Sequence, residues 1–333
     1  MRKFRSWRNL LKKKQNEWLA FTGLKGLPYG IIEPKSDLEL KRIWASSSSK
    51  LKANVSIPHN LLAMPVGLKM KHNVNTVVRK FLHENFTIIL FHYDGHMDGW
   101  WDLKWSKKAV HIVAVNQTKW WFAKRFLHPA AVSVYDYVFL WDEDLGVQHF
   151  NPRRYLDIVK AAGLEISQPA LDPKSSDIHH RITLRKRRHI FHRRVIDPKG
   201  SVKCTSDSEG PPCTGFVEGM APNDLVHGWG MDMKLGYCAQ GLKNVGIVDS
   251  EYILHQGIPT LGGPAAKKGS NDVNLAKKHH GFDMRTEIRR QSTLELDVFK
   301  QRWEKAIKED KDWVDTFFKH KQKQQAPPPT IHS

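Results

Sequence analysis

The chain has 333 residues, 40% of them hydrophobic, and a formal net charge of +19. That length supports one large α/β domain or two smaller ones with a sizeable core. No run approaches the roughly 18 apolar residues of a membrane span, and no apolar signal core follows Met1, which excludes both from the sequence as written. The charge points to a polyanion, an acidic membrane surface or a phosphate-bearing ligand as partner.

Residues 1–14, "MRKFRSWRNLLKKK", hold seven Lys or Arg and no acid. Phe4, Trp7, Leu10 and Leu11 fall at helical spacing, which predicts a basic amphipathic helix. It suits a membrane surface or a transit peptide, or else is a frayed solvated helix. Gly, Pro and the Ser46–Ser49 run punctuate residues 20–72, which read as irregular, so 1–72 is taken as a basic N-terminal segment. Order is expected from about residue 74, in a single domain over 73–318.

Val74, Val77, Val78, Phe81 and Leu82 trace one apolar face of a helix. "FTIILFH" at 86–92, "VHIVAV" at 110–115 and "YVFLW" at 137–141 are apolar runs of strand length, and Trp120–Leu127 reads as a helix between the last two. Pro152–Ala162 is predicted helical, with Pro in its first turn and Gly163 as its stop. "LEISQ" at 164–168 follows as a fourth strand. Strands apolar on both faces and alternating with helices imply an α/β fold, a mostly parallel sheet flanked by helices. Residues 319–333 read as a disordered basic and Pro-rich tail.

In such sheets ligands bind beyond the C-terminal strand ends. Asp94 follows the first predicted strand directly, with Asp98 and Asp102 behind it, and Asp142-Glu143-Asp144 follows the third. Asp142 and Asp144, two residues apart past a strand, can hold one divalent cation, with Mg²⁺ or Mn²⁺ preferring such oxygen ligands and bridging them to a diphosphate. Alternation turns Glu143 away. The cation would neutralise charge on a leaving nucleotide diphosphate. Arg181, Arg187 and Arg193, in and beside the basic run "RKRRHIFHRR" at 185–194, could share that charge. The same run suits a nucleic-acid patch.

A second constellation is "NDLVHGWGMDMKLGY" at 223–237. Trp229, between two glycines, offers a platform for the apolar face of a sugar, and Asp232 could act as the base that activates an acceptor hydroxyl. The alternative is a Gly-rich turn with a core Trp. Further on, "GIVDSEYILHQG" presents Asp249, Glu251 and His255, with His255 a structural residue or a third metal ligand. Cys204 and Cys213 flank a polar loop and could pair in an oxidising compartment, leaving Cys238 over. Three Asn-x-Ser/Thr sequons, at Asn54, Asn85 and Asn116, hint at a lumenal setting.

From about Leu27 to Phe318 the chain resembles a plant family of uncharacterised proteins labelled "lysine-ketoglutarate-reductase trans-splicing related". The resemblance rests on "NFTIILFHYDG", "DGWWDLKWS", "NQTKWWFAKRFLHP", "YDYVFLWDEDLGV", "LEISQPALDP", "IHHRIT", "PPCTGFVEGMAP" and "NDLVHGWGMDMKLGYCAQG". That family is similar to GT-A-type glycosyltransferases. The resemblance implies a Rossmann-like fold of GT-A type, Mn²⁺ or Mg²⁺ on Asp142 and Asp144 with His255 completing the shell, and Asp232 as base. It further implies a nucleotide-sugar donor, a glycan or other hydroxyl acceptor, and a place in the Golgi. The chain departs from the family in lacking an N-terminal anchor, in joining Pro222 directly to Asn223 where an aromatic-rich segment with a further Cys is expected, and in a shorter gap between Gly241 and Leu242. Two rival expectations stand beside the transferase: a non-catalytic binder of nucleic acid or acidic glycan, and an inactive member that keeps the fold.

Overall fold

The computed structural model describes residues 27–28, 31, 60–115, 117–127, 129–176, 178–218, 225–239, 242–258 and 284–317. The basic segment 1–14, the tail 319–333 and the junctions at 222–223 and 241 therefore lie outside the described residues.

The first sheet is built from β1 (Asn60–Val66), β2 (Phe86–His92), β3 (Val110–Val113) and β4 (Tyr137–Leu140). Helix α1 (Lys71–Phe81) connects β1 to β2, and α2 (Lys119–Phe126) with α3 (Pro129–Val132) connects β3 to β4. All pairings are parallel and the spatial order is β3-β2-β1-β4. The chain thus grows outward from β1 to β3, then returns to the far side of β1. That reversal, between β1 and β4, is the switch point of a Rossmann-like sheet, where the connections diverge and leave a crevice.

Both faces of β1 are buried, by alternate residues. Leu62, Met64 and Val66 pack in one core with Val74, Val77, Val78 and Phe81 of α1. Leu61 and Ala63 pack on the other face with Phe91 of β2 and Phe122 of α2. Phe81 is the hub of the first core, with ring centroids 4.9 Å from Phe86 and 5.1 Å from Trp141 in edge-on contacts.

The expectation of irregular structure over residues 20–72 fails at β1, the strand between β2 and β4. "NLLAMPV" carries no polar alternation because it is covered on both sides, and Pro65 argues against a sheet interior. The register resolves the conflict. β4 pairs with β1 only over Asn60–Ala63, so Pro65 has a neighbour on one side alone. At the end of α1, Leu82 is exposed instead of completing the apolar face.

The predicted helix at 152–162 is α4 (Pro152–Ala162). The Asn151 side chain caps it by accepting from the Arg154 amide at 3.0 Å, and Gly163 ends it with φ 62°. The strand after it joins a second sheet instead of the first. There β8 (Val245–His255) pairs parallel with β6 (Ile166–Leu171) and antiparallel with β5 (Leu145–Gly146) and β7 (Phe191–His192). Cys204 and Cys213 form a disulfide beneath this sheet, and Cys238 is unpaired. A short helix α5 (Asp232–Leu235) and the long α6 (Met284–Glu309) complete the described elements. Phe299 and Trp303 of α6 pack with Met231 and Tyr237, which holds the segment around α5 in place.

Candidate metal centre

β4 runs into Trp141, whose indole fills the first core, and then into the three acids. Glu143 turns inward and is fully buried. One of its oxygens accepts from the Gly67 amide at 2.7 Å and the other from the Tyr93 hydroxyl at 2.5 Å. It therefore ties the ends of β1 and β2 together. A side chain at residue 67 is barred, since a Cβ there would meet the Tyr93 Oη at 2.3 Å. Asn73 of α1 fixes the backbone of the turn by donating to the Glu143 and Leu145 carbonyls at 2.6 and 3.1 Å.

With Glu143 turned in, Asp142 and Asp144 share the other side. The antiparallel pairing of β5 with the end of β8 sets Leu145 opposite His255, and the Gln256 amide donates to the Asp144 carbonyl at 3.2 Å. Asp142, Asp144 and His255 each offer a ligand atom, all within 4.8 Å of one another. The His255 Nε2 lies 3.6 Å from the Asp144 Oδ2, too far for a hydrogen bond. Three oxygen and nitrogen ligands this close together could share one divalent ion. Asp144 is only 2% exposed. Its Oδ2 accepts from the Ile258 amide at 3.0 Å, whereas its Oδ1 is buried with no hydrogen-bond partner among the described residues. An ionised carboxylate oxygen left so is costly unless a cation or donor meets it. Asp142, Asp144 and His255 could hold a divalent cation.

Asp94 lies at the same sheet edge, with both its oxygens accepting from backbone amides. Oδ2 takes the Leu68 amide at 2.7 Å and Oδ1 the His96 amide at 3.0 Å, which shapes the loops after β1 and β2. Trp229 is half-exposed between Gly228 and Gly230, whose φ angles are 75° and 80°. Gly230 lies against α6, where a Cβ would meet the Leu296 Cδ1 at 2.2 Å. Asp232 starts α5 and accepts from the Met233 amide at 2.9 Å, with the His180 Nε2 3.8 Å from its other oxygen. Burial raises the Asp232 pKa and lowers that of His180.

Sequence reasoning passed over Glu218. Burial raises its pKa, and the charges of His179, Asp232, His255 and Asp142 also act on it. An acid directly after the core residues Phe216 and Val217 was the available signal, and so was the His179-His180 pair.

The arginines are not gathered at this site. Arg181 pairs with Asp197 at 2.5 Å. Arg193 donates to the Ala162 carbonyl at 2.9 Å and lies over the Phe191 ring, beside the start of β8 and away from His255. Arg187 is exposed on the loop before β7. Asp249 and Glu251 face other partners. Asp249 meets His192 at 2.7 Å, and Glu251 accepts from the Asn151 amide at 2.7 Å and pairs with Arg154 at 2.8 Å.

Fold and site together define an α/β protein with a Rossmann-like parallel sheet and a candidate divalent-cation group at its switch point. The chain belongs to the family described as "Protein of unknown function (DUF707)", whose model matches residues 19–309. No curated protein and no solved structure matches it. Among the described residues, no helix is long and apolar enough to cross a membrane.

Proposed function

We propose that this protein is a metal-dependent glycosyltransferase of GT-A type that acts on a nucleotide sugar. The observation that carries the reading is the convergence of Asp142, Asp144 and His255 at the switch point, with the Asp144 Oδ1 buried and unpartnered. Asp142, Asp144 and His255 would hold Mn²⁺ or Mg²⁺, which when bound screens the charge of a diphosphate leaving group. Trp229 is exposed enough to carry the apolar face of a sugar. Asp232 would take the proton of the acceptor hydroxyl as its oxygen bonds to the anomeric carbon, and the bond to the diphosphate breaks with its electron pair staying on the diphosphate. The burial that raises the Asp232 pKa suits it to that proton. The disulfide favours a secretory compartment, in keeping with the Golgi expectation.

Binding of a polyanion through the 185–194 run is the weaker reading, because much of the run is spent internally. Arg185 donates to the Asp249 carbonyl and stacks over Tyr252, Lys186 donates to the Arg194 carbonyl, and Arg194 donates to carbonyls of Thr205, Ser206 and Ser208. The test is a thermal-shift screen with Mn²⁺ and a panel of nucleoside diphosphates, run on the wild type and on Asp142→Asn/Asp144→Asn. Stabilisation by Mn²⁺ with one nucleotide, lost in the double variant, is expected. A cooperative melt with no response to any nucleotide would reject donor binding. Polyanion binding that falls steeply with salt and ignores chelator would favour the rival.

A further inference from the structure

Of the three sequons, Asn85-Phe86-Thr87 lies within the described residues, whereas Asn54 and Asn116 lie outside them. Asn85 ends the link 82–85 between α1 and β2. The chain is tightly folded there. The Glu84 amide donates to the Phe81 carbonyl at 3.0 Å, the Phe86 amide donates to the Glu84 carbonyl at 2.8 Å, and the Asn85 carbonyl accepts from the Asn60 amide at 3.1 Å. The residues on either side are anchored: Glu84 pairs with Arg153 at 3.2 Å, and the Phe86 ring packs edge-on against Phe81. Asn85 is the apex of this turn and is exposed, with Thr87 half-buried at the start of β2. Leu82, three residues earlier, leaves 41% of its surface in water. An exposed asparagine in a turn, followed two residues on by a threonine, is what N-glycosylation takes as acceptor. The Cys204–Cys213 disulfide is a second and independent observation, because such bonds form and persist in the oxidising compartments where that modification occurs.

We propose that Asn85 carries an N-linked glycan. The site does not depend on the transferase reading. The co-substrate is an oligosaccharide on a lipid diphosphate. The Asn85 carboxamide nitrogen bonds to the anomeric carbon and gives up one proton, while the bond from that carbon to the diphosphate breaks with its electron pair staying on the diphosphate. The fold accepts the product without rearrangement. β2 begins directly after Asn85, and Asp94 follows its far end. Seven strand residues separate them, roughly 20 Å at the usual rise. β4 runs parallel to β1 and β1 to β2, so Asp142 and Asp144 leave the sheet at the Asp94 edge. A glycan on Asn85 therefore stands at the opposite edge from the candidate metal centre. It would also cover the apolar surface of Leu82 with a polar group.

The experiment is peptide mass spectrometry on the full chain isolated from the cells that make it. Peptide N-glycanase in heavy-oxygen water turns a glycosylated asparagine into a labelled aspartate and leaves a bare one unchanged. Asn85 is expected to carry the label, in protein whose Cys204 and Cys213 are joined. Expressed in the same cells, Asn85→Gln is expected to lose the mass of one glycan, and Thr87→Ser, which keeps the acceptor motif, to retain it. A bare Asn85 overturns the proposal. If Cys204 and Cys213 are then reduced, the chain has not met an oxidising compartment, and if they are joined, it has met one and the turn has not served as acceptor. An Asn85→Gln protein with undiminished glycan mass overturns it too. Stabilisation by Mn²⁺ is expected to be equal in Asn85→Gln and wild type, so failure of donor binding and absence of the glycan are separate results.

Discussion

Strand β8 carries two buried acid–imidazole sites, and they are satisfied in opposite ways. At Asp249, one carboxylate oxygen accepts from the Lys186 amide at 2.6 Å and the other meets the His192 Nδ1 at 2.7 Å. The His192 Nε2 lies 2.7 Å from the Ile182 carbonyl, so both ring nitrogens face groups that only accept. The acid and the ring thus complete each other's hydrogen bonds within the core. At the end of the same strand, His255 and Asp144 stand 3.6 Å apart, and the Asp144 Oδ1 has no partner. Glu143, one residue away, is closed like Asp249, with both oxygens met. Burial is common to all three acids. What separates structure from candidate chemistry is whether the fold finishes the hydrogen-bond inventory or leaves it open.

The largest effect that would sharpen this contrast is at Asp249. Asp249→Ala strands His192 and the Lys186 amide in the core, and removing one partner of a buried ion pair costs about 3–5 kcal/mol. Urea denaturation should show that loss with the slope of the transition unchanged. A loss below about 1 kcal/mol would mean the closed site is not a structural one.

His92 is an intermediate case and is next in size. Its Nε2 lies 2.8 Å from the His111 Nδ1, and the His111 Nε2 is 2.9 Å from the Ser106 carbonyl. The carbonyl only accepts, so His111 donates there and accepts from His92. The His92 Nδ1 is then left bare, buried and without a partner. Burial, with the neighbouring His111, lowers its pKa from 6.5 to about 4. The folded state thus binds fewer protons than the unfolded chain between those values. Stability is full above pH 6.5 and falls by about 3 kcal/mol as the pH drops towards 4. Urea midpoints across that range and a proton NMR titration of the ring check it. A ring that titrates near 6.5 would show that the protonated Nδ1 has found an acceptor.

The first sheet was legible where residues alternate with helices and carry no exceptions. β2 and α4 match their predicted spans, because their apolar runs are bounded by a turn or a Gly stop. β1 was hidden by Pro65 and by coverage on both faces, features that only the register explains. In the site, Asp142 and Asp144 could be read because they are two residues apart and follow a strand. His255 is more than a hundred residues away, and its arrival depends on the two-residue pairing of β5 with β8. Glu218 gave no periodic signal, since its place is set by the Gln168 contact and by core packing of the two residues before it. A basic run advertises charge, but composition does not reveal that Arg185, Arg193 and Arg194 donate to the carbonyls of Asp249, Ala162 and Ser208.

The smallest expected effect is the most telling one. Asp144→Asn keeps the shape of a buried side chain, and its amide oxygen can still accept from the Ile258 amide. The substitution removes a buried charge whose second oxygen has no partner, so the metal-free protein should change by less than ~1 kcal/mol, or gain stability. The same substitution at Asp249 breaks a complete pair and must destabilise. Melting temperatures of Asp144→Asn and Asp249→Asn, with and without Mn²⁺, test both halves at once. If Asp144→Asn proves as damaging as Asp249→Asn in the absence of metal, Asp144 is a structural acid and the open inventory at the switch point has another cause. If it is neutral alone and abolishes stabilisation by Mn²⁺, the charge of Asp144 serves a ligand and not the fold.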